Sequence, residues 1–253
     1  MKSAIEMTMN SIVNILSPNE ISIYLFGSVC FDDFKLGWSN IDILCLTQYQ
    51  ISDEQAEKLV NLRQNLLKKE PDNKYYRLFE GGILTVNTFQ TDKQKEKVVY
   101  WGTSGQRITE KYYFDVFSMF ELLDSGMLIY GKDIRNGFNK PTYDELVNEV
   151  KRHLETIRKY AVSTDESLYS AGWMLDIARG IYTIRTGNVI AKTKAGEWAL
   201  ENELCPEIEV MEKVLCIRNE PMKYKNDKKI KEWLKSLGIH IQRFADVLEN
   251  ELK

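Results

Sequence analysis

Short apolar runs and long amphipathic stretches alternate through the first part of the chain, and after about Lys140-Pro141 only the amphipathic stretches continue. Ile21 to Phe26 (ISIYLF), Ile41 to Leu46 (IDILCL) and Ile83 to Asn87 (ILTVN) are rich in β-branched and aromatic residues and predict strands. Met1 to Leu16 predicts a helix that stops before Ser17-Pro18. Ser52 to Lys69 predicts another, opened by a Ser-Asp-Glu start of the capping kind. Helix, strand, turn, strand, helix, strand is an α/β arrangement around a small mixed sheet. In the second part Tyr143–Tyr160, Leu168–Thr186, Lys192–Glu201, Pro206–Arg218 and Asp227–Leu252 all read as helices. Trp233, Leu237, Ile241, Phe244, Leu248 and Leu252 make one apolar stripe along the last, which Gly238 is placed to break. The boundary predicts two domains, 1–140 and 141–253.

Composition narrows the function classes. The chain has 253 residues, 34 basic against 37 acidic, so its formal charge of -3 argues against a general nucleic-acid binder but not against a local anion pocket. No run approaches the roughly 18 to 20 apolar residues of a membrane span, and the polar start does not read as a secretory signal, so a cytoplasmic protein is expected. Cys30, Cys45, Cys205 and Cys216 form no CxxC pair and read as buried small hydrophobes. His153 and His240 have no partner nearby in sequence and read as structural. The basic run from Lys223 to Lys235 is interleaved with Asp227 and Glu232, which makes it a solvated helix face.

One stretch carries chemistry. Leu25-Phe26-Gly27-Ser28 places a small, flexible pair directly after an apolar strand, where backbone N–H groups and a hydroxyl can meet a phosphate. Eleven residues later, Asn40-Ile41-Asp42 puts two polar side chains two positions apart, on one face of the next strand. That is a spacing able to hold Mg²⁺ against a nucleoside triphosphate. Glu80, at the start of the third predicted strand, can bring another carboxylate to the same place.

These residues resemble the nucleotidyltransferases of the DNA polymerase β superfamily, whose pattern is Gly-Ser, a spacer, Asp-x-Asp and a third carboxylate on a neighbouring strand. Within that superfamily the chain looks most like the aminoglycoside adenylyltransferases that modify streptomycin and spectinomycin. Arg77-Leu78-Phe79-Glu80 resembles the family's Arg-x-x-Glu, and Leu128 to Asp133 resembles the segment closing its first domain. Arg179, Thr186-Gly187-Asn188-Val189, Lys192 and Trp198 resemble its helical-domain signature. The resemblance implies an α+β protein: a nucleotidyltransferase domain with a small mixed sheet, followed by an α-helical bundle that contributes to ATP and substrate binding.

It further implies that Gly27, Ser28, Arg179 and Lys192 bind ATP, that Asp42, Asn40 and Glu80 hold Mg²⁺, and that Glu80 is the base taking a proton from the acceptor hydroxyl. The products would be an AMP ester and pyrophosphate. ATP and a small-molecule antibiotic are the implied partners, with no nucleic acid and no membrane, for an enzyme acting as a monomer. Trp101, Asp165, Glu166, Tyr169 and Trp173 are the implied drug-binding residues, although tryptophans in such positions are more often core aromatics than stacking platforms. Asn40 departs from the family, which has an aspartate there. An inactivating Asp→Asn change and a natural impairment both account for it, and the otherwise intact motif favours the first. Gly81-Gly82, two extra residues after Glu80, leave its register open. A lincosamide or protein acceptor, and a nucleotide sensor without catalysis, remain as alternatives.

Overall fold

The computed structural model describes residues 1–91, 96–102 and 105–253, and the chain divides into two compact units. The first comprises Met1–Cys30, Asn40–Phe114 and Glu121–Lys140; the second comprises Phe31–Ser39, Asp115–Phe120 and Pro141–Lys253.

In the first unit, helix α1 (Lys2–Leu16) leads into strand β1 (Ile21–Phe26), β2 (Ile41–Thr47), helix α2 (Asp53–Lys69) and β3 (Phe79–Thr85). A short helix α3 (Val86–Gln90) and strands β4 (Val98–Gly102), β5 (Gly105–Thr109) and β6 (Met127–Tyr130) follow, while helix α4 (Val116–Asp124) begins among the second unit's residues and ends among the first's. The six strands form one sheet in the order β5-β4-β3-β2-β1-β6. Only the β2–β3 pairing is parallel, so the sheet is mixed. Ala4, Thr8, Ile12 and Leu16 recur every four residues as the buried stripe of α1, and Ala56, Leu59, Leu62, Arg63 and Leu66 make that of α2. The capping box at the head of α2 is real: Ser52 accepts from the Gln55 backbone while the Gln55 side chain accepts from that of Ser52.

The third strand departs from its expected span. It begins at Phe79, not Ile83, and its expected last residues, Val86 and Asn87, open α3 under a Thr85 cap. Two glycines in its middle hide it from a propensity reading. Gly81 takes φ +145, and a Cβ on it would run into the Ile43 carbonyl of β2. A bare backbone at 81 is thus what lets β3 lie against β2 in this register. Strands β4, β5 and β6 and helix α4 had not been anticipated either.

In the second unit, α5 (Tyr143–Tyr160) is followed by a 3-10 turn at Leu168–Ala171 and α6 (Gly172–Thr186), which split the single helix expected over Leu168–Thr186. Gly187, at φ 67, ends α6 in the left-handed conformation. Helices α7 (Lys192–Glu201), α8 (Ile208–Asn219), α9 (Pro221–Tyr224), α10 (Lys228–Leu234) and α11 (Gly238–Glu251) complete the bundle. The long helix expected over Asp227–Leu252 is two helices, broken before Gly238, whose α-carbon abuts the Val162 carbonyl too closely for a side chain. Of the cysteines, Cys45 and Cys205 are buried and Cys30 half-buried, but Cys216 is exposed, which corrects the expectation for it.

The second unit's core carries a buried ion pair. Arg218 donates to Asp33 at 2.6 Å and to the Thr193 hydroxyl at 2.8 Å, while that hydroxyl donates to Asp33 at 2.5 Å. Arg218 also lies over the Trp38 ring, 5.4 Å from its centroid. Segment Phe31–Ser39 is thereby tied to the start of α7 and the end of α8. Among the described residues no helix is long and apolar enough to cross a membrane.

The close approach of β3 to β2 predicts that Gly81→Ala is costly. Backbone strain at a positive φ and the collision with Ile43 should together remove about 2 kcal/mol or more of stability. Urea unfolding of the purified variant measures it.

Candidate active site

The sheet has one face packed on α1 and α2 and one that gathers polar groups. Alternation along a strand sends neighbours to opposite faces, and pairing sets which residues stand level. Asp42 on β2 pairs with Phe26 on β1 and with Glu80 on β3. The two carboxylate-bearing residues therefore stand side by side on one face. The open question of Glu80's register is resolved by that pairing.

Gly27 and Ser28 begin the turn directly after β1. Gly27 has φ +67, and a Cβ there would collide with the Asp42 carboxyl group. Glycine is needed both for the conformation and for the close approach. Ser28 Oγ lies 3.4 Å from the Asn40 carbonyl, so the turn and the entry to β2 are in contact. Asn40 Nδ2 donates to Glu80 Oε2, and the Tyr100 hydroxyl donates to Glu80 Oε1 at 3.4 Å. Burial, and then the Glu80 charge, push the Tyr100 phenol above its ordinary pKa, which keeps it a donor. Tyr100 reaches Glu80 because Gly102 beside it has no side chain: a Cβ there would sit 2.8 Å from the hydroxyl. Gly27, Ser28, Asn40, Asp42 and Glu80 are thus one cluster within the first unit.

Mg²⁺ prefers oxygen ligands and often binds through one or two carboxylates together with substrate phosphates. Asp42 offers a carboxylate, and Asn40, its nitrogen given to Glu80, presents its amide oxygen as the other donor atom. This set fits a Mg²⁺ arriving with a triphosphate better than a permanent metal centre. Among the described residues no group of three or more His, Cys, Asp or Glu could hold a metal alone.

The second unit holds its own charged cavity of about 270 Å³, lined by Arg152, His153, Trp173, Asp176, Arg179 and Lys192 among others. Asp176 pairs with Lys192 at 2.7 Å and with Arg179 at 3.8 Å. Burial works to raise the Asp176 pKa, yet the Lys192 and Arg179 charges hold it below the usual carboxylate range. The Arg179 guanidinium lies over the Phe117 ring at 5.0 Å. Buried Glu149 grips both Arg152 and His153, the latter at 3.1 Å, and the His153 ring sits edge-on to Phe117. Four potential cations therefore meet two carboxylates around one cavity.

The expected drug-binding residues do not gather. Trp101 is 1% exposed on the opposite face of the sheet, its indole N–H donated to the Leu59 carbonyl of α2, so it is a core residue. Asp165 is held beside the 3-10 turn that Ser167 caps, accepting from the Ser167 backbone and the Ser170 hydroxyl, both at 2.8 Å. Glu166 pairs with Lys235 at 2.9 Å on an exposed surface. Tyr169 is exposed, with its ring 6.4 Å from that of Trp38. Trp173 alone lines a cavity with Arg179 and Lys192.

No protein-family model matches the sequence, and no curated protein is significantly similar to it. Among solved structures, the chain is similar to the crystal structure of spectinomycin adenyltransferase AAD(9) from Enterococcus faecialis with ATP and spectinomycin. The TM-score is 0.64 at 17% identity, over 98% of this chain and 99% of that one. The chain has an aminoglycoside adenylyltransferase-like fold.

Within that fold, sequence reading missed Tyr100, Asp176, Arg152 and the pair Glu149–His153. Asp176 stands three residues before Arg179 on α6, a helical spacing that could have exposed it. Glu149 is likewise spaced from Arg152 and His153 on α5. Nothing local marks Tyr100, whose link to Glu80 exists only through strand pairing.

Glu149 makes a pH prediction. Burial opposes its ionisation, but His153 and Arg152 overcome that and hold its pKa at about 2. A depressed folded-state pKa contributes stability above the unfolded value, near 4.5, that is lost as pH falls toward 2. Thermal melts from pH 7 to 2 should show Glu149→Gln less stable at neutral pH by on the order of 3 kcal/mol, the two proteins converging in acid.

Proposed function

We propose that this chain transfers AMP from Mg·ATP to a hydroxyl of a small molecule. The observation that carries the reading is the cluster in which the Gly27-Ser28 turn lies against Asp42 and Asp42 stands level with Glu80. The fold of an adenyltransferase supports it. Ser28 and the N–H groups of its turn bind phosphate oxygens. Asp42 and the Asn40 amide oxygen would hold Mg²⁺, which would supply charge neutralisation on the phosphates when bound. Glu80, held by Asn40 and Tyr100, takes the proton of the acceptor hydroxyl. The acceptor oxygen bonds to the α-phosphorus, the bond to the β-phosphate oxygen breaks, and pyrophosphate leaves. Arg179 and Lys192 are the residues that the sequence resemblance implies for the leaving phosphates.

A streptomycin- or spectinomycin-type antibiotic is the acceptor that the sequence resemblance implies, and resistance would follow from its modification. The neighbour's complex with spectinomycin makes that drug the first to assay. A second reading, nucleotide binding without transfer, is favoured by the bond of Asn40 to Glu80, which ties up the base with a neutral amide.

Mass spectrometry of reactions containing Mg·ATP and spectinomycin, streptomycin or a lincosamide separates the two. Asn40→Asp adds a carboxylate for the metal and is expected to raise the AMP adduct at least about tenfold. Glu80→Gln in that background should lower it by roughly 10² to 10⁴. Tight ATP binding without an adduct in any of these proteins would exclude these drugs as acceptors and favour the nucleotide-binding reading.

A further inference from the structure

A second polar cavity opens beside Glu80, and its walls say something about the acceptor. It measures about 460 Å³, within the usual range for small-ligand sites, and Tyr100, Arg107, Glu110, Lys111, Tyr112 and Tyr113 are among its lining residues. Strand pairing builds it. Gly82, two residues past Glu80 and on the same face, pairs with Tyr100, which pairs with Arg107. The missing side chain at Gly82 is filled by the Tyr112 ring, which a Cβ there would strike at 2.6 Å. Tyr100 and Tyr112 stand 6.2 Å apart, and the Arg107 guanidinium stacks on Tyr100 at 4.5 Å. Tyr100 in turn donates to Glu80, so one side chain joins this cavity to the residue assigned as base.

The charge of these walls is opposite to what a polycation needs. Among the described lining residues Arg107 and Lys111 outnumber Glu110, and of the carboxylates expected to receive an aminoglycoside, Asp165 is bonded within its own turn and Glu166 pairs with Lys235. A guanidinium seated on an aromatic face keeps its N–H edge available for bidentate bonding to an oxyanion, and tyrosine faces suit the flat or C–H-rich face of a ring. We propose that this cavity is the acceptor subsite and that it takes a hydroxylated ring bearing an acidic group, carboxylate or phosphate. The inference rests on the transfer reading and replaces its acceptor.

Calorimetric titration of the full chain tests it, with Mg²⁺ and a non-hydrolysable ATP analogue present. Quinate, glucose 6-phosphate, spectinomycin and streptomycin serve as probes. Quinate or glucose 6-phosphate is expected to bind with Kd below about 1 mM, and whichever does so names the acidic group. Arg107→Glu should weaken that binding at least tenfold and strengthen spectinomycin binding, whereas Arg107→Lys, which keeps the charge, should lose less. Binding of an aminocyclitol but of neither acid, or of no probe by a chain that binds the ATP analogue, overturns the inference and leaves nucleotidyl transfer standing. Failure to bind the ATP analogue removes the transfer reading instead. The same titrations without nucleotide then report on the cavity alone, and binding of neither acid there overturns the inference as well.

Discussion

The parallel pairing of β2 with β3 is the constraint from which the first unit's chemistry follows. Side chains on a strand alternate between faces, so a slip of one residue would send Glu80 toward α1 and α2 and leave Asp42 beside Phe79 or Gly81. The observed register sets Asp42 level with Glu80 and, by the same pairing, Ile43 level with Gly81. That second pair allows the first. Only a residue without Cβ can stand so close to the Ile43 carbonyl, and the same absence at Gly82 leaves room for the Tyr112 ring. Two residues that look like an interruption of the strand are thus what holds Glu80 level with Asp42.

Close approach recurs as the device by which the polar face is assembled. Gly27 brings the first turn against Asp42, and Gly102 lets Tyr100 lean toward Glu80. Gly27 removes a side chain where a polar group of the neighbouring strand must pass, and Gly102 one where a polar group of its own strand must. The result is a carboxylate held at both oxygens, by Asn40 and by Tyr100, before any ligand is present.

The second unit solves a different problem, the placement of cations in a helical bundle. Buried charges are stable only when paired and hydrogen-bonded. Asp176 meets that condition for Lys192 and Arg179, and Glu149 meets it for Arg152 and His153. The network of Asp33, Thr193 and Arg218 ties the start of α7, and so the residue after Lys192, to the segment Phe31–Ser39. Positive charge is collected around a cavity without being left unpaired in the core.

What the sequence by itself determined was local. The spans of β1, α5 and α7 coincide with their expected limits, because apolar periodicity, caps and helix-ending residues act within a few positions of one another. The turn at Gly27 and Ser28 and the strand entered by Asn40 and Asp42 were legible for the same reason, whereas the strand that carries Glu80 was hidden by its two glycines. Tertiary structure decided the rest. It put Trp101 in the core and spent Asp165 and Glu166 on local bonds. It ran β3 through two glycines, brought Tyr100 to Glu80 across 20 residues and joined Asp33 to Arg218 across 185. Strand register, side-chain burial and ion pairing depend on partners far along the chain, and neither composition nor periodicity carries that information.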